Sequence, residues 1–163
     1  MKLKTALLLL AWSNLACPAF ASEPGLDQWG VAENSDPMTD EKIVTAGVGT
    51  AEGFILKFQC WGDHYGVIIM PYLPMAKLEF ITMDAQADVA WRIDKQPAVT
   101  ERWQVMGGKA GDPYVVVTNS DQLTTAILAG GQKLTIRVHG LTGNVTLQDA
   151  AENVKIATTA CGL

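Results

Sequence analysis

Phe54-Ile55-Leu56-Lys57-Phe58-Gln59-Cys60 is the stretch on which the fold turns. Phe54, Leu56, Phe58 and Cys60 fall on one side, and Lys57 and Gln59 on the other. That two-residue period is the signature of a half-buried strand, and it points Cys60 inward. Trp61-Gly62-Asp63 is a turn signal, and Tyr65 to Met70 forms the next apolar strand, closed by Pro71. Upstream, Asp36-Pro37-Met38-Thr39-Asp40 reads as a turn leading into a strand over Ile43 to Gly49, and Trp29 is expected in the core. The rest of 22–50 carries no regular pattern.

Downstream, Lys77 to Met83 is a further strand, and Val89, Trp91 and Ile93 alternate with Ala90, Arg92 and Asp94 in another. Lys95-Gln96-Pro97 turns the chain. Thr100 to Met106 returns with Trp103 and Val105 inward, which would set Trp91 opposite Trp103. Glycines at 107, 108 and 111 mark another turn, and Tyr114 to Thr118 is a short β-branched strand. The period then changes. Leu123, Ala126, Ile127 and Gly130 follow helical spacing, with Asn119 or Ser120 as cap and Gly130-Gly131 as stop. Leu134, Ile136 and Val138 form another inward row, Val145-Thr146-Leu147 a last strand, and Leu147, Ala150, Ala151, Val154 and Thr158 the face of a C-terminal helix. Asp149 and Glu152 resemble a capping pair for that helix. Many short strands separated by turns predict a mainly β fold, an antiparallel β-sandwich or open barrel with one or two short helices.

The first 21 residues read differently. Lys2 and Lys4 precede an apolar run from Ala6 to Trp12, too short to span a bilayer, and Ala19-Phe20-Ala21 is a small-x-small cleavage site. Residues 1–21 are therefore expected to be a signal peptide cleaved after Ala21, leaving 22–163 as one periplasmic domain. Acylation at Cys17 is the rival reading, but Asn14 stands where such sites carry an aliphatic residue. Cleavage leaves Cys60 and Cys161, and an even pair in an oxidising compartment predicts one disulfide tying the C-terminal tail to the core. Neither cysteine lies in a C-x-x-C redox motif.

Composition narrows the chemistry. Hydrophobic residues make up 48% of the 163-residue chain and charged residues 18%, with a net charge of −5. This suits one folded domain and disfavours nucleic acid as a partner. No serine lies in a nucleophile elbow, and no phosphate-binding loop occurs. His64 and His139 are the only histidines, too few for a metal site, and Met70, Met75, Met83 and Met106 read as core gap-fillers before they read as copper ligands. Neither a metal nor a cofactor is expected. Asp84, Asp88 and Asp94 leave open a glycan hydrolase with paired carboxylates. The candidate binding residues are the three arginines, Arg92, Arg102 and Arg137, all outward on their strands, with Asp94 among them. They form either a solvated ion-pair ladder or a patch that grips an acidic group. Tyr72, held between Pro71 and Pro74, is a second candidate contact.

The order of these features resembles the type VI secretion accessory proteins of the VasI/TagO kind and related uncharacterised periplasmic proteins. A tryptophan and D-P-M-x-D (Asp36 to Asp40) precede a strand ending in Cys60, an R-x-D strand (Arg92-Ile93-Asp94), Trp103 and the C-terminal Cys161. The resemblance implies a non-enzymatic accessory role at the envelope, with a protein or cell-wall partner. An inhibitor of a cell-wall hydrolase such as lysozyme, or a phage or mobile-element exclusion protein, is the alternative binding role. An acidic exported protein would be steered toward basic lysozymes.

Overall fold

The computed structural model describes residues 25–71, 86–107, 114–118, 121–138 and 140–163. The expected signal peptide, the strand over Lys77 to Met83, Tyr72, Asp84 and the helix caps Asn119 and Ser120 lie outside them. The described chain runs β1 (Gly30–Ser35), β2 (Lys42–Gly49), β3 (Phe54–Trp61), β4 (His64–Pro71), β5 (Gln86–Ile93), β6 (Val99–Gly107), β7 (Tyr114–Thr118), α1 (Gln122–Leu128), β8 (Lys133–Val138), β9 (Leu141–Thr146) and α2 (Ala150–Ala160). The strands form one antiparallel sheet in the order β1-β2-β3-β4-β7-β6-β5-β8-β9. The mainly β architecture that the strand period predicts is thus what forms, with two short helices and one disulfide.

Local chemistry explains the turns. Asp36 Oδ1 accepts hydrogen bonds from the backbone N–H of Met38 and Thr39, closing the β1–β2 connection as an Asx turn. Gly62, with φ at +60°, makes the tight β3–β4 hairpin that pairs Trp61 with His64. β3 alternates buried and partly exposed positions from end to end, so its even-numbered residues enter the core.

The sheet is open but strongly curled. Nine strands at about 4.8 Å spacing would hold β1 and β9 roughly 38 Å apart if flat. Instead the Trp29 indole, just before β1, donates to the Thr146 carbonyl at the end of β9 at 2.8 Å. Asn144 of β9 likewise reaches Glu52, just ahead of β3, at 3.4 Å. Gly143 is bare against the Phe54 ring, where an added methyl carbon would lie 2.4 Å from it. The seam between the two edges is therefore closed by side chains rather than by a backbone ladder among the described residues.

The inward rows of all nine strands and both helices share one core. Trp103, Phe54, Phe58 and Leu56 are its largest fully buried side chains. Helix α2 packs across β1, β2 and β3 and against α1, burying Ala150, Val154, Ala157 and Thr158. Cys161, directly after α2, joins Cys60 of β3 with Cα atoms 5.6 Å apart, so the predicted disulfide fixes the last helix to the inner face. Tyr65, paired with Cys60 across the hairpin, meets the Thr124 hydroxyl of α1 at 2.8 Å.

Two local expectations are corrected. Trp91 stands opposite Val99, and Trp103 opposite Ala87, so the two tryptophans do not pair. The reason is the turn. The Gln96 N–H bonds to the Ile93 carbonyl, so the chain reverses at Asp94 and Lys95, ahead of Pro97. Asp149 precedes α2 in a left-handed conformation with φ at 61°, and its side chain makes no capping hydrogen bond. A capping side chain works from an extended backbone, and the left-handed turn at Asp149 departs from it.

Candidate functional site

Strands β5, β8 and β9, with Ala98 just ahead of β6, border a shallow groove of about 220 Å³, whose lining includes Ala90, Trp91, Arg92, Thr135, Arg137 and Thr142. The register explains the assembly. Arg137 is paired with Ala90, and Arg92 with Thr135, so the two arginines stand diagonally across the β5–β8 ladder. Such diagonal partners sit about 7–8 Å apart at their backbones. The small side chain of Ala90 leaves room between them, and Ala98 borders Arg92 on the β6 side. Arg137 Nε donates to the Thr142 hydroxyl at 3.1 Å, a bond that does not use the two terminal nitrogens of the guanidinium. Among the described residues neither Arg92 nor Arg137 has a carboxylate within 4.0 Å. Two forked donors with this spacing suit a carboxylate or phosphate group.

The other candidate residues go elsewhere. Arg102 was expected beside Arg92 and Asp94. It lies instead opposite Asp88, with Nε 3.6 Å from the carboxylate and both side chains 74% exposed. Asp88 and Arg92 are four residues apart on β5, about 13 Å along the strand, so Arg102 is outside the groove. Asp94 is not a contact residue of the groove either. It takes a left-handed φ of 51°, and its carboxylate accepts the backbone N–H of Lys133 at 2.9 Å and that of Gln132 at 3.2 Å. Its work is to pin the β5–β6 turn to the start of β8. Asp88 and Asp94 are six residues apart along nearly extended chain, roughly 20 Å, well beyond the separation a glycosidase carboxylate pair needs.

His64 is exposed at the head of β4, with Nε2 3.3 Å from Asp63. Tyr65 lies on the opposite, inner face of the sheet. Burial pushes its hydroxyl up to about 12, with the hydrogen bond shared with Thr124 opposing and the charge of Asp121 adding to the rise. Among the described residues no three His, Cys, Asp or Glu side chains gather as a metal site. No described helix is long and apolar enough to cross a membrane.

Strand parity alone placed Arg92 and Arg137 on the outer surface. The hydroxyls of Thr135 and Thr142 and the alanine floor were missed, because only the strand order β5-β8-β9 brings them beside the arginines. Comparison with protein families, with curated proteins and with solved structures finds no match.

Proposed function

We propose that this chain is an exported, non-catalytic binding module of the bacterial cell envelope, which grips an acidic group of a partner protein with Arg92 and Arg137. The observation that carries the reading is the pair of outward guanidiniums on one groove, without a carboxylate partner among the described residues, in a chain of net charge −5. A local cationic spot on an acidic protein steers an acidic group to one place and repels it elsewhere. The disulfide is compatible with an oxidising compartment. The secretion accessory setting suggested by the order of motifs supplies a context with such partners, and we place the protein there as part of the same proposal.

The test compares two baits. Mature protein and its Arg92→Glu/Arg137→Glu variant are each used to recover partners from solubilised envelope. A partner retained by the first bait and lost by the second, with both folded and oxidised, supports the reading. Identical recoveries with both baits overturn it.

A further inference from the structure

On the outer face of the same sheet, on the far side of β5 from the arginine groove, the residues assemble a second and chemically different surface. Trp61 ends β3 on its outward side and is half-buried. Its ring lies over Gly66 of β4. A methyl carbon on Gly66 would sit 3.2 Å from the indole and 3.7 Å from the Thr118 carbonyl oxygen. A side chain at Gly66 would push the ring back from the strand by a few tenths of an ångström. Thr118 in turn borders a shallow depression with Gln86, Arg102, Gln104 and Val117. An adjoining depression shares Gln86 and Arg102 and adds Asp88.

The register makes this one continuous strip. Lys57, Ile68, Val117, Gln104 and Gln86 are successive cross-strand partners from β3 to β5. Gly66, under the indole, and Arg102 are on β4 and β6, with only β7 between. Two interstrand spacings put them about 10 Å apart, a span suited to a short chain of rings rather than one ring. A flat amphipathic ring lies at one end. At the other are two amides, a guanidinium and a carboxylate, all fixed on strands. A ring offers an apolar face, and the planar polar groups offer paired donors and acceptors. The ligand chemistry that needs both is a pyranose chain, whose C–H faces stack and whose hydroxyls and acetamido groups point sideways.

We infer that this strip binds an oligosaccharide, with Trp61 stacking on one sugar ring and Gln86, Asp88, Arg102 and Gln104 hydrogen-bonding its neighbours. The strip shares no residue with the arginine groove, so this inference stands or falls apart from the partner reading above. Arg102 and Asp88 offer both signs, which selects a neutral polar ligand over an anion.

Isothermal titration of the oxidised mature protein with tri-N-acetylchitotriose and with maltotriose tests it, beside Trp61→Ala, Arg102→Ala and Arg92→Ala variants. Saturable binding of either trisaccharide is expected, weakened about ten-fold or more by Trp61→Ala and several-fold by Arg102→Ala, and unchanged by Arg92→Ala. The near-ultraviolet circular dichroism of Arg102→Ala should match the parent, so a loss of binding there cannot come from unfolding. Absence of binding heat at millimolar trisaccharide overturns the inference. So does binding that both Trp61→Ala and Arg102→Ala leave intact. Tighter, Trp61-dependent binding of an uncharged polar peptide also overturns it, in favour of a protein ligand.

Discussion

The indole N–H of Trp29 is bonded at 2.8 Å to the main-chain carbonyl of Thr146, a residue 117 positions away in sequence. One side chain thus links the leading edge of the sheet to the trailing edge. A carbonyl at the end of an edge strand would otherwise turn to water, and the indole supplies the donor that a tenth strand would give.

Trp29→Phe keeps an aromatic ring against Phe58 but removes that donor. The expected loss is about 1–2 kcal/mol of unfolding free energy, read from the urea midpoint. Amide exchange should rise first in β1 and β9, the two strands the bond connects. Uniform acceleration over the whole sheet would show that the seam is not a separate unit.

Replacing both cysteines by serine releases α2 from β3 without disturbing the strand ladders. The closed loop spans 101 residues of sequence separation, for which chain entropy gives an upper figure of about 4.7 kcal/mol. A fall of roughly 10 °C in Tm is expected for a domain of this size. The same fall should follow addition of a reductant to the parent protein.

Asp94→Ala should cost about 1–3 kcal/mol, because it leaves the Gln132 and Lys133 N–H groups without their acceptor and puts at φ 51° a residue without the polar side chain that lets Asp tolerate a left-handed backbone. Asp94→Asn keeps an acceptor and tolerates that backbone, so its cost should be smaller. Asp88→Ala removes only a pair that is largely in water and should change the denaturation midpoint by about 0.5 kcal/mol or less.

Alkaline pH should act through Tyr65. Its hydroxyl is raised from 10.0 to about 12 in the fold. Above pH 10 the unfolded chain loses this proton before the folded one does, and that ionisation favours the unfolded state. The contribution of the neutral hydroxyl is therefore complete below pH 10 and declines as pH rises from about 10 to 12. The decline should be on the order of 1–2 kcal/mol after allowing for the part of the ring that meets water. Tyr65→Phe should flatten the urea midpoint across that window.

The strands were legible because each has one wet and one dry side. β3, β5 and β8 show this alternation residue by residue, and it carried the placement of Arg92 and Arg137 as well. β1 was missed for the converse reason. Only Gly30 and Val31 are buried there, and Glu33, Asn34 and Ser35 face water along an outer edge. The β5–β6 hairpin was legible, but its register was not. A period of two says which way a side chain points and nothing about which residue stands opposite it, so Arg102 was set beside Arg92 and Asp94 when it faces Asp88. Asp94 shows the same limit. Strand alternation counted it as an outward charge, whereas a left-handed turn had already committed its carboxylate to the backbone.

Strand β7 joins two halves that the chain builds separately. Among the described residues it pairs with β4 at three positions, Val67 with Thr118, Ile68 with Val117 and Ile69 with Val116. The β1–β4 meander can zip up from local hairpins, but it must then wait, with one flank of β4 bare, until a strand from nearly fifty residues later arrives. Contacts of that span make assembly slow. During the wait the unpaired flank of β4 is the place where a second unfinished chain would dock, so misassembly in a crowded compartment should begin there.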